Sequence, residues 1–109
     1  MKTRIIVLIA AAAFASGAFA SGNAERGAAK AKQVCAACHG ADGNTPLTPE
    51  YPRLAGQHED YLYKALRDYK AGARKNAIMG AQAAGLSRQD MQDLAAYFSR
   101  LQGSLTVIR

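Results

Sequence analysis

Apolar positions along this 109-residue chain follow two kinds of pattern. From Ile5 to Ala15 they run almost without interruption, behind Lys2 and Arg4 and ahead of Ala18-Phe19-Ala20. A positive start, an apolar middle and a small-residue exit describe a secretory signal, with cleavage expected between Ala20 and Ser21. The stretch is short against the roughly 20 residues that span a bilayer, which disfavours a retained anchor. No cysteine follows the expected cleavage point, which disfavours a lipid anchor. The chain therefore divides into a signal, residues 1–20, and one domain, residues 21–109.

Beyond the signal, apolar residues recur at helical spacing. The first helix is predicted from Ala24, with Asn23 as N-cap, into the segment ending at His39; Gly40 then ends the turn in a left-handed conformation. Residues 41–57 hold Asp42-Gly43-Asn44 and all three prolines, Pro46, Pro49 and Pro52, and predict a stiff irregular loop. A second helix is predicted over Glu59 to Ala71, with Leu62, Ala65, Leu66 and Tyr69 on one face and Gly72 at its end. Lys64, Arg67, Asp68 and Lys70 occupy its polar face. Residues 73–85 are predicted as a second loop. The last helix is capped by Ser87 and Asp90 and buries Met91, Leu94, Ala95, Phe98 and Leu101, with Gly103 ending it. The tail Ser104 to Arg109 receives no assignment. No run alternates with strand period, so the fold class is all-α with three main helices.

Composition sharpens this picture in one respect. A domain this small buries a modest core and is marginal without a staple or cofactor. The formal charge of +6 includes Lys2 and Arg4, so the mature domain is only mildly basic.

A cofactor is what the chemistry-bearing residues specify. Cys35-Ala36-Ala37-Cys38-His39 is the C-x-x-C-H attachment sequence for c-type haem. Two thiols one turn apart lie on the same side of a helix, so each can add to one vinyl group of a single porphyrin. His39 then offers an imidazole nitrogen to the iron. A thioredoxin-like dithiol needs a βαβ context, which is absent. A zinc site needs more ligands than the remaining His58 supplies. A plain disulfide leaves His39 unexplained. One such motif implies one haem, covalently held by Cys35 and Cys38.

The sixth ligand decides what that haem does. Met91 lies on the apolar stripe of the last helix and reads as core filler. Met79 lies in the predicted loop and is the preferred ligand, since His/Met ligation is usual for electron transfer. His58, at a polar helix start, is the alternative.

The chain resembles a class I cytochrome c of the small bacterial type, and in particular one half of the dihaem cytochromes known as c-four. Cys35 to Gly40, Tyr51-Pro-Arg-Leu-Ala-Gly-Gln57, Tyr61-Leu62, Met79, Leu86-Ser87, Asp90-Met91 and Leu94-Ala-Ala-Tyr-Phe98 carry the likeness. It implies the class I cytochrome c fold around one haem c, with His39 and Met79 as axial ligands and no acid, base or nucleophile. It also implies that the Pro52 carbonyl accepts the Nδ1 hydrogen of His39, and that Gly27 and Tyr97 form a helix crossing. Ala31 stands one turn after Gly27, where many relatives have an aromatic, so that crossing should be tighter or less filled. Arg53 and Gln57 flank the proline segment and are candidate partners for a haem propionate, a solvated arginine being the open alternative. Tyr51, Tyr61 and Tyr69 are candidate pocket walls, or ordinary core.

The implied function is periplasmic electron transfer. Lys30, Lys32, Lys64, Arg67, Lys70, Arg74 and Lys75 would steer docking onto acidic redox partners. The modest charge argues against nucleic acid, and signal cleavage leaves no stable membrane insertion. Two alternatives remain: a subunit of a larger oxidoreductase, and a five-coordinate haem that takes peroxide or a gas.

Overall fold

The computed structural model describes residues 5–11 and 22–103. The expected cleavage point and the tail Ser104 to Arg109 lie outside these residues. Residues 5–11 are exposed and form no helix or strand.

Among the described residues five helices and no strand occur: α1 (Ala24–Val34), α2 (Ala36–His39), α3 (Glu59–Ala71), α4 (Ala77–Ala84) and α5 (Arg88–Arg100). The three long ones, α1, α3 and α5, are those expected from the periodicity. Each starts where a local signal says it should. The Asn23 side chain accepts from the Arg26 amide at 2.8 Å. Ser87 and Asp90 form both halves of a capping box, each bond 3.0 Å long. Glu59 and Asp60 stand in the first turn of α3, where the helix dipole favours negative charge.

Three expectations need correction. The first helix does not continue into the haem motif. It stops at Val34, Cys35 adopts φ −114°, and a separate four-residue turn, α2, carries His39. Residues 73–85 are not all loop, because α4 occupies most of them. The Asn76 side chain accepts from the amides of Ile78 and Met79, both at 3.0 Å, and the alanines that follow are strong helix formers. Finally, α5 ends at Arg100, not Gly103. Gly103 has a packing role instead: a Cβ there would lie 2.0 Å from the Ala55 carbonyl oxygen.

Helices α1 and α5 cross where Gly27 lets their backbones meet. A Cβ on Gly27 would lie 2.0 Å from the Asp93 carbonyl oxygen and 2.7 Å from the Tyr97 Cβ. Asp93 locks the same crossing. Its carboxylate accepts from the Asn23 amide at 2.7 Å, from Arg26 Nε at 2.9 Å and from Gln89 at 2.8 Å. Helix α3 packs on both α4 and α5. The shared core comprises Ala31, Leu62, Leu86, Met91, Leu94, Ala95 and Phe98. Met91 is 4% exposed, as a core filler should be. The proline-rich loop is stitched inward through Gly43, whose carbonyl accepts from Leu54 and Ala55, and through the Gly56 amide, which donates to Phe98.

Candidate functional site

Between α2, α3, α4 and α5 lies an open-mouthed cleft of about 190 Å³. Its walls are chiefly apolar: Val34, Leu54, Leu62, Leu66, Leu94 and Phe98 all contribute. The apolar stripe of α3 faces this space and not only protein core, since Leu62, Ala65, Leu66 and Tyr69 all line it.

Three residues of the expected chemistry reach the cleft together: Cys35, His39 and Met79. His39 is 5% exposed and its Nδ1 lies 2.8 Å from the Pro52 carbonyl oxygen. A carbonyl only accepts, so the proton of the neutral ring sits on Nδ1. Nε2 keeps its lone pair, and no group among the described residues occupies it. A buried imidazole with one nitrogen anchored and the other free is the arrangement of a metal-ligating histidine. Tyr51 is not a wall of the cleft. Its ring packs near the His39 ring, centroids 6.3 Å apart, and backs the imidazole instead.

Cys35 and Cys38 are both partly buried free thiols. Burial pushes the Cys35 thiol up to about 11, so it is neutral at physiological pH. Cys38 does not appear on the cleft wall, although its turn of α2 abuts it. Met79 is half-buried in the first turn of α4, placed there by the Asn76 cap. His58 is exposed at the start of α3 and does not line the cleft. Among the described residues no three His, Cys, Asp or Glu side chains cluster as a metal site.

Arg53 and Gln57 do line the cleft. Arg53 Nε donates to the Asn44 carbonyl at 3.0 Å, and Gln57 Oε1 accepts from the His58 amide at 2.9 Å. Arg74 also lines it, which the sequence did not announce. It was legible only as one of seven surface cations. Four of the others are engaged: Lys30 with Asp90 at 3.6 Å, Lys64 with Asp68, Lys70 with the Leu86 carbonyl, and Arg67 over the Tyr63 ring.

The donor set and the wall suit a flat apolar group that takes two thioethers and a nitrogen ligand. Residues 24–102 match the family model described as cytochrome c. The chain is 43% identical over 114 residues to cytochrome c4 of Stutzerimonas stutzeri, covering 96% of this chain and 53% of that protein. It is 47% identical over 70 residues to a thiosulfate dehydrogenase electron acceptor of Thiomonas intermedia, covering 64% of this chain and 32% of that one. The crystal structure of reduced recombinant cytochrome c4 from Pseudomonas stutzeri superposes with a TM-score of 0.70 at 47% identity, over 77% of this chain and 48% of that one. The chain thus spans about half the length of the cytochrome c4 relatives it matches.

Proposed function

The chain belongs to the cytochrome c family, a membership that implies covalently bound haem c, and on that premise we propose that it is a single-electron carrier with one haem. Cys35 and Cys38 would hold the group by thioethers, and His39 and Met79 would ligate it. When bound, haem c supplies an iron centre that alternates between Fe(III) and Fe(II).

The observation that carries this reading is the state of His39. Its ring is buried, its Nδ1 is tied to Pro52, and its free nitrogen belongs to a cleft that Cys35 and Met79 also line. The Pro52 bond fixes the ring plane and tautomer and strengthens the imidazole as a donor. The apolar wall from α3 and α5 keeps water away, so little solvent need reorganise when charge changes. With His39 and Met79 both holding the iron, no position would remain open for substrate, which suits a carrier and not a catalyst. The expected signal supports a periplasmic location. Lys32 and Lys75, which have no ion-pair partner among the described residues, contribute to docking on an acidic redox partner. Rates of electron transfer should therefore fall as ionic strength rises; a flat salt profile would exclude steering.

A second reading is favoured by the likeness to an electron acceptor of thiosulfate dehydrogenase: the chain would serve as a docked subunit with the same chemistry. Co-purification distinguishes a stable complex from a free carrier.

The primary test is spectroscopic. The holoprotein should keep its haem stain after denaturing electrophoresis, and Cys35→Ala/Cys38→Ala should lose it. The oxidised protein should be low-spin with a sulfur-to-iron charge-transfer band. A high-spin spectrum would overturn the ligation and favour the five-coordinate rival.

A further inference from the structure

The two ends of α4 are held in different ways. Its far end is pinned by burial: Ala83 is fully buried, and Leu86 just beyond is 4% exposed. Lys70 Nζ, from α3, donates to the Leu86 carbonyl and ties that end down further. The near end, which carries Met79, has no such support. Residues 71–78 are all exposed. The last anchored point before α4 is Arg74, whose amide donates to the Asp68 carbonyl at 3.1 Å and whose guanidinium donates to the Tyr61 hydroxyl oxygen at 3.3 Å. Between Arg74 and Met79 the one side chain that hydrogen-bonds, among the described residues, is Asn76. Its extended backbone, φ −156°, aims the side-chain oxygen at the Ile78 and Met79 amides, both at 3.0 Å. An eight-residue helix does not persist on propensity alone, and Ala83 is the only residue that α4 buries. The first turn of α4 therefore depends on that one oxygen.

We propose that Asn76 is a positioning residue for the sixth ligand: by capping α4 at the Met79 amide it keeps the thioether on the iron and closes the iron to small molecules. The inference rests on the haem reading above, with Met79 as ligand. A closed centre exchanges with an open one in which Met79 has moved out with the first turn of α4. The share of the open form is set by the stability of that turn and not by the stability of the whole domain. The end pinned at Ala83 and Leu86 stays in place in both forms. Without the Asn76 oxygen, two orphan amides lose their acceptor in a turn that burial does not hold. Replacing an N-cap by alanine shifts such an equilibrium by roughly 2- to 30-fold. The carrier and the five-coordinate rival thus differ by the hold on a single helical turn.

The test measures how tightly the oxidised holoproteins bind added imidazole, which competes with Met79 for the iron. Wild type is compared with Asn76→Ala, Asn76→Ser and Asn23→Ala, and the sulfur-to-iron band and midpoint potential are recorded for each. An outside ligand binds only the open form, so its apparent affinity follows that form's population. Asn76→Ala should raise the affinity by roughly tenfold, weaken the band and lower the potential. Asn76→Ser caps about as well as asparagine and should stay near wild type. Asn23→Ala removes the cap of α1, where the side chain accepts from the Arg26 amide at 2.8 Å. It should lower stability and leave imidazole affinity unchanged. If Asn76→Ala binds imidazole no better than wild type, or if Asn23→Ala raises the affinity as much, Asn76 does not position Met79. A wild type that is high-spin, with no sulfur-to-iron band, would instead sink the ligation on which the inference stands.

Discussion

Met79 and Met91 are the same residue type, twelve positions apart, in opposite surroundings. Met91 is 4% exposed among Leu94, Ala95 and Phe98, whereas Met79 borders the cleft from the first turn of α4. Met91→Leu is a volume-conserving swap that should cost less than about 1.5 kcal/mol and leave the optical spectrum unchanged. Met79→Leu should abolish the charge-transfer band and lower the midpoint potential while helicity by circular dichroism is retained. The reverse pattern would exchange the two roles. The helical stripe in the sequence already marked Met91 as core. Arg74 was different. Its partner Tyr61 lies thirteen residues away across the turn at Gly72, a contact that no periodicity announces. A cation whose partners come from a folded-back chain reads in sequence as one more solvated charge.

Among the elements, the crossing of α1 on α5 responds most directly to a single methyl group. At Gly27 an added Cβ meets backbone, the Asp93 carbonyl oxygen at 2.0 Å, and backbone cannot rotate away as a side chain would. Gly27→Ala gains helix propensity, worth about 1 kcal/mol in an open helix. Forcing the helices apart costs about 1–3 kcal/mol or more, so the overpacking term should win. Chemical denaturation of the holoprotein should show a net loss of stability; an unchanged or raised midpoint would mean that the helices separate freely. This crossing was visible beforehand only through family resemblance, because a glycine inside a helix otherwise reads as a weak point. Helix α4 shows the opposite failure. Residues 73–85 read as loop from a charged start, Arg74 and Lys75, and an apolar middle, Ile78 and Met79, while Asn76 capping two amides and four alanines decide for helix. The sequence pattern therefore pointed to loop where the structure has the helix that carries Met79.

For the molecule as a whole, the cleft takes wall that a cofactor-free domain of this size would bury. Half of the ten buried hydrophobic residues are alanines, and Leu94 is the only large side chain fully buried among the described residues. What joins the two ends of so thin a core is polar, and that makes stability depend on acid. Burial opposes the charge on Asp93, yet the Arg26 guanidinium, the Asn23 amide and the Gln89 amide outweigh it and hold the carboxyl below its ordinary range. The Ser87 amide, with Lys30 nearby, does the same for Asp90, and the Asn44 and Thr45 amides do it for Asp42. In the unfolded chain all three carboxylates take up protons near the usual pKa of about 3.9. Below that value the unfolded state binds more protons than the folded one, so stability falls as pH falls through the depressed native values. Above it the contribution is complete, so thermal midpoints of the holoprotein should be flat on the neutral side and decline in acid. Asp93→Asn removes one of the three titrations. It should lower the midpoint at neutral pH, where the Arg26 ion pair is lost, and make the acid decline shallower. If the variant declines as steeply in acid as the wild type, Asp93 does not couple protonation to the α1–α5 crossing.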